Sequence, residues 1–276
     1  MQELMINIGK AFCFVLLALT ISWLARIVFD LLTKKIDEDK EIISNNFAIG
    51  YRRAGQFLGG LIAMAGVLGG QSHTFAKDLY GILVYGLLAY VLIFIAGIFN
   101  DKSVLSDINN DDACRNNNKA VGITEFASSV ATGLIINGCM AGDSSGLLEG
   151  ITLVLFFFVI GQGLILLLVN IFHKFSSADC VSAIEKGNIA AAIYLSGKII
   201  TYAIILRAAL LQANDGWVSS LEWFLGGAIV GLLFLAFAGK FVEKILLPRG
   251  AGQGSVAMLI EQAAMIGVAL LISVVL

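Results

Sequence analysis

The chain repeats itself, and the repeat limits what it can fold into. An asparagine, small residues on one helical face and then a long apolar run occur at Asn46-Phe-Ala48-Ile-Gly50. The same order returns at Asn118-Lys119-Ala120-Val-Gly122, at Asn188-Ile-Ala190-Ala191-Ala192 and, more weakly, at Ser255-Val-Ala257-Met. Setting Asn46, Asn118, Asn188 and Ser255 in register also aligns Ala48, Ala120, Ala190 and Ala257, and then Gly55, Ala127, Gly197 and Ala264. Each copy follows its own apolar segment, so the repeating unit reads as a two-helix hairpin of roughly seventy residues.

Composition says where such hairpins live. Hydrophobic residues make up 58% of the chain and charged residues only 14%, with a mean hydropathy of +0.89. A soluble domain of 276 residues needs more charge to cover its surface. Several runs exceed the roughly 20 apolar residues that cross a bilayer. The formal charge of −2 points to no particular partner, and without a basic stripe carrying interleaved aromatics nucleic acid is excluded. The first apolar run lacks a small-residue cleavage site and reads as a retained helix.

The spacing predicts eight spans, at about 6–32, 46–68, 79–99, 120–139, 148–172, 189–211, 221–242 and 256–276. They form one transmembrane domain, 1–276, of four units at approximately 1–72, 73–142, 143–213 and 214–276. The connections after odd-numbered spans hold Lys34, Lys35, Lys40, Lys102, Arg115, Lys119, Lys174, Lys186, Lys244 and Arg249; the other side has Lys10, Lys77 and Arg207. Positive charge stays in the cytoplasm, which puts both termini outside. Trp217 and Trp223 fall at the outer boundary of the seventh span, where aromatic anchors belong. The expected fold is therefore all-α: eight transmembrane helices in four parallel hairpins. Odd spans are almost wholly apolar. Even spans carry small-x-x-x-small faces, Gly55/Gly59, Ala127/Ala131 and Gly197/Thr201, which let helix backbones approach. Even helices are thus expected at the centre and odd ones outside.

The segments Glu41-Ile-Ile-Ser-Asn45-Asn46-Phe-Ala48 and Ala183-Ile-Glu-Lys-Gly187-Asn188-Ile-Ala190-Ala191-Ala192 resemble the bacterial family called domain of unknown function 350. Members are short inner-membrane proteins of two-helix units, commonly two, and this chain resembles a four-unit version. The resemblance implies a multi-pass protein of the bacterial inner membrane and brings no catalytic residues.

Ionisable residues inside even spans are the candidate functional groups: Arg52, Arg53, Glu125, Lys198 and Glu261. A charge there typically costs a few kcal/mol or more. Arg53, Glu125 and Gln262 share one register position, and Arg52 and Glu261 another. Those four charges sit about 10 Å in from the motif asparagine, and Lys198 about 15 Å in. Pairing of Arg53 with Glu125, or of Arg52 with Glu261, is expected. Such a layer either lines a wet path or fixes the order of four similar hairpins while its arginines reach toward the interface. Structural pairing is the leading reading for the Arg and Glu residues; for Lys198 the two stand level. The motif asparagines read first as helix caps, and second as amides ringing a pore mouth.

Other motifs fail. Asp107-x-Asn109-x-Asp111 begins a calcium loop, but Asp112 stands where Gly is required and Asn118 where Glu closes it. Cys13, Cys114, Cys139 and Cys180 form no C-x-x-C, and His73 and His173 have no local ligand spacing. Gly250-x-Gly252-x-Gly254 lacks the strand and the Lys-Ser/Thr of a phosphate loop. No enzyme, metal or cofactor is expected. The leading function is a small channel- or transporter-like bundle whose even helices enclose the polar layer. The alternative is a membrane scaffold or envelope sensor that docks a cytoplasmic protein, with the buried charges purely structural. The lipid bilayer is the certain partner of such a chain, and a second copy of it stays open.

Overall fold

A computed structural model describes residues 2–32, 36–68, 74–105, 109–141, 146–175, 180–212, 217–246 and 254–275. Lys34, Lys35, His73, Asp107, Pro248, Arg249, Gly250 and Gly252 lie outside the described residues, as do the side chains of Lys102, His173 and Lys174. Among the described residues all regular structure is helical: α1 (Gln2–Leu32), α2 (Glu38–Ile43), α3 (Phe47–Val67), α4 (Phe75–Ser103), α5 (Asn110–Arg115), α6 (Lys119–Met140), α7 (Leu147–Phe175), α8 (Cys180–Glu185), α9 (Ile189–Leu211), α10 (Trp217–Leu246) and α11 (Ser255–Val275). Seven are long and apolar enough to cross a membrane: α1, α4, α6, α7, α9, α10 and α11. The remaining long helix, α3, has 21 residues, but Arg52, Arg53 and Gln56 make it more polar than the rest.

The motif helices pack in chain order, α3 on α6, α6 on α9 and α9 on α11. They run parallel. At one end Gly122 of α6 meets Ala48 of α3, and at the other Gly66 of α3 meets Asn137 of α6. Glycine makes the α3–α6 contact close: a Cβ at Gly55 would stand 2.5 Å from Cα of Phe126, and one at Gly122 2.6 Å from Cα of Ala48. Backbone thus packs on backbone, the approach that small residues permit in lipid. Gly55 and Gly59 form the α3 side, as their spacing predicts, while α6 answers with Gly122 and Gly133.

The flanking helices fill the grooves of this row. α4 lies against α1, α3 and α6, α7 against α6 and α9, and α10 against α9 and α11. Of the membrane-length windows, 72% is buried in α6 and in α9, but only 33% in α11 and 22% in α1. Central even helices are therefore found for α6 and α9, and corrected for α11. A row has ends, and α11 is one of them.

Candidate functional site

The polar stretches before α3, α6 and α9 each end in a six-residue helix, α2, α5 or α8, where the sequence suggested only connections. Each short helix stops on a left-handed residue: Asn45 (φ 62°), Asn117 (φ 56°) or Gly187 (φ 81°). Asn and Gly adopt that conformation most readily. The stop is closed by paired backbone bonds, such as Asn45 N–H to the Ile42 carbonyl at 3.0 Å and Asn46 N–H to the Glu41 carbonyl at 2.9 Å. The next residue is the motif asparagine, whose Oδ1 accepts from the first turn of the long helix: Asn46 from Ile49 N–H, Asn118 from Ala120 and Val121 N–H, Asn188 from Ala191 N–H. The expected caps are present.

These amides also do a second job. Asn46 Nδ2 donates to the carbonyls of Cys114 (2.9 Å) and Arg115 (3.2 Å) at the end of α5. Asn118 Nδ2 donates likewise to Ile184 (3.1 Å) and Glu185 (2.8 Å) at the end of α8. Asn117 Oδ1 answers by accepting from Ala48 N–H at 3.2 Å. Asn46 and Asn118 are thus clamps between successive units. Ser255 differs again, because it lies inside the first turn of α11 instead of before it.

Arg52 pairs with Glu125 of α6 through Nε and Nη2, and with Asp111 through Nη1 at 3.0 Å. Arg53, one residue on and about 100° round the helix, faces the other way. It donates to Glu38 (2.9 Å), Asp39 (2.6 Å) and Asp30 (2.8 Å), tying α3 to α1 and α2. Lys198 lies 3.7 Å from Glu261 of α11, which also accepts from Gln262 Nε2 at 3.1 Å. The expected pairs Arg53–Glu125 and Arg52–Glu261 do not form. In a row α3 touches α6 and not α11, so Arg52 reaches Glu125 and Glu261 is left to Lys198. The five candidates therefore fall into two layers, one at each end of the row. Gly197 packs against the Gln262 side chain beside the second layer.

Outside the long spans, the hydrogen bond from Arg53 holds the Asp39 carboxyl below its ordinary range, with Arg26 adding to the effect and partial burial opposing it. Burial, followed by the neighbouring Glu125 charge, pushes the Cys114 thiol well above its ordinary range.

Sequence reasoning missed two features. One is the contact toward the C-terminal ends of α3, α6 and α9, where Asn137 donates to the Ile62 carbonyl at 2.6 Å and accepts from Arg207. An Asn and an Arg in apolar runs were the available signal. The other is a polar cleft of about 210 Å³ between α3, α4 and α6. It starts beside Asp111, passes Arg52, Glu125 and Asn100, and ends at Gln56, Ser128 and Thr132. Thr132 lies about 20 Å along α6 from the motif asparagine.

A parallel row of glycine-packed helices with apolar flanks and buried ion pairs defines a multi-pass helical membrane protein. Residues 3–140 and again 146–276 match the family described as Domain of Unknown Function (DUF350), and the chain belongs to that family as two consecutive copies of its unit. No curated protein and no solved structure matches it.

Proposed function

We propose that the protein is a transporter-like inner-membrane bundle that admits a small polar solute to the cleft between α3, α4 and α6. In this reading α3 is an eighth span, the helices form four parallel hairpins near the boundaries given above, and both termini are outside. The excess of Lys and Arg at the short-helix end supports that orientation. The pairing of Arg52 and Arg53, which lowers the cost of burying their charge, supports the eighth span. The cleft carries the functional reading. Gln56, Thr124, Ser128 and Thr132 place amide and hydroxyl groups deep inside an apolar bundle beside the charged Arg52 and Glu125, and ionisable groups inside membrane spans are the usual mark of a solute path.

The row also changes the shape of that reading. With α3 and α11 at opposite ends, the even helices enclose no common axis, so the solute site lies to one side of the row. The test is osmotic swelling of proteoliposomes across a panel of neutral polyols, amino acids and alkali chlorides. At least one solute should enter faster than into empty liposomes, and Gln56→Leu or Thr132→Leu should cut that rate at least tenfold while Lys198→Met does not. Entry no faster than into empty liposomes for every solute overturns the reading. It would favour the scaffold or sensor role instead, which the pairing of all five buried candidates supports independently.

A further inference from the structure

We infer that the cleft between α3, α4 and α6 binds a small monovalent cation. The inference rests on reading that cleft as the solute site and names the class of solute. Three features of the lining point the same way.

The first is charge. Glu38, Asp111 and Glu125 line the cleft against a single lining cation, Arg52. Counting Arg53 behind Glu38 still leaves one carboxylate in excess. Each of the three is ion-paired, Glu125 and Asp111 with Arg52 and Glu38 with Arg53, so the excess is one of net charge, and a cation drawn in from water offsets it. An anion meets the opposite situation, because Arg52 already spends Nε, Nη1 and Nη2 on Glu125 and Asp111.

The second is the direction of the hydroxyl protons. Thr124 donates to the Ala120 carbonyl at 3.0 Å, and Thr132 donates to the Ser128 carbonyl at 2.9 Å. A hydroxyl has one proton to give, so Thr124 offers the cleft only lone pairs, and Thr132 a single one, because its oxygen also accepts from Gln162 Nε2 at 3.1 Å. Asn100 adds another acceptor. It is 6% exposed, it lines the cleft, and its Oδ1 has no hydrogen-bond partner among the described residues. Buried side-chain oxygens are normally satisfied, and a hard cation is satisfied by oxygen ligands of this kind.

The third feature selects the charge of the ion. Among the described residues no three His, Cys, Asp or Glu side chains converge closely enough to hold a metal ion. Divalent ions in proteins want several carboxylate or carbonyl oxygens in a tight shell. A cleft of about 210 Å³ with dispersed acceptors suits an alkali ion that keeps part of its water, since one water occupies about 30 Å³ in the liquid.

The experiment is scintillation-proximity binding of radioactive sodium and rubidium ions to the full chain in lipid nanodiscs, competed by unlabelled chlorides at constant ionic strength. The expected result is saturable binding of at least one ion. Another alkali ion should compete, N-methylglucamine should not, and calcium should compete no better than its ionic strength accounts for. Asp111→Asn should weaken binding at least tenfold, and Asn100→Leu should do the same. The Asp111 side chain is 37% exposed, so its variant keeps the fold even if Asn100→Leu does not. Absence of saturable binding in the wild type, or binding unchanged in Asp111→Asn, overturns the inference. The two readings fail separately: swelling by neutral solutes without ion binding removes the cation and keeps the path, while ion binding without solute entry removes the path and keeps the site.

Discussion

Asn46 donates its side-chain amide to the Cys114 carbonyl at 2.9 Å, a bond between residues 68 apart in the chain. The same amide caps α3 through its oxygen, so one side chain sets both where a helix begins and where the next unit sits. Asn118 repeats the arrangement one unit later. Caps alone explain why an asparagine, serine or aspartate stands at these positions. The second contact explains why asparagine does, since its amide holds an acceptor and a two-proton donor on separate atoms and can cap with one while reaching the next unit with the other.

Asn46→Ser separates these roles. Serine retains a capping oxygen and loses the reach to Cys114 and Arg115, so the melting temperature should fall by the equivalent of about 1–2 kcal/mol. Asn46→Ala should cost about a further 1 kcal/mol by removing the cap. Thermal melts in one detergent check both: no loss in Asn46→Ser would show that the clamp contributes nothing, and equal losses for the two variants that the cap contributes nothing.

Gly55→Ala should separate α3 from α6. Its Cβ would meet the Phe126 backbone at 2.5 Å, which no rotamer change can relieve. Overpacking of this kind costs about 1–3 kcal/mol or more. Gly50→Ala, five residues earlier on a face with open space, should not destabilise and should gain up to about 1 kcal/mol from helix propensity. Melting temperatures of the two variants give the comparison.

Removing one member of the Arg52–Glu125 pair should do more harm than removing both. Glu125→Gln leaves a buried guanidinium with Asp111 alone, and breaking a buried pair costs about 3–5 kcal/mol. The double variant Arg52→Gln with Glu125→Gln should recover at least half of that loss. A double-mutant cycle on denaturation midpoints measures the coupling, and strict additivity would mean that the pair is not formed.

Cys114 should resist thiol reagents in the folded protein. It is fully buried, and its thiol is held neutral by burial and by Glu125 beside it. Raising the pH from 7 to 9 ionises an ordinary cysteine and speeds its alkylation, but should leave Cys114 slow until the protein is denatured. Mass spectrometry of maleimide-treated protein reads this directly. Rapid folded-state labelling at Cys114 would mean that the junction between α5 and α6 opens.

The long helices were legible in the residues themselves, and the six-residue helices α2, α5 and α8 were not. Apolar runs long enough to span a bilayer, the motif asparagines at helix starts and the small faces at Gly55 and Gly59 are local signals, and each describes a segment that forms by local rules. The repeat was legible as well, because it requires only comparison of the chain with itself, whereas the family came from the resemblance of the segments at 41–48 and 183–192 and the match of residues 3–140 and 146–276. Partnership was not legible in this way. The register placed Arg53 level with Glu125 and Arg52 level with Glu261, yet level says nothing about neighbours. Only the packing of α3 on α6 and of α9 on α11 assigned Arg52 to Glu125 and Lys198 to Glu261. The angle of one residue about α3 then turned Arg53 toward Glu38. The cleft beside Asn100 has the same origin, since its walls come from α3, α4 and α6, with Glu38 of α2 and Asp111 of α5 at one end, and the sequences of these helices carry no mark of facing one another. Segments are determined by chain-local chemistry, whereas pairs and cavities depend on which backbones can approach closely, and the tertiary structure decided that through the glycines between α3 and α6.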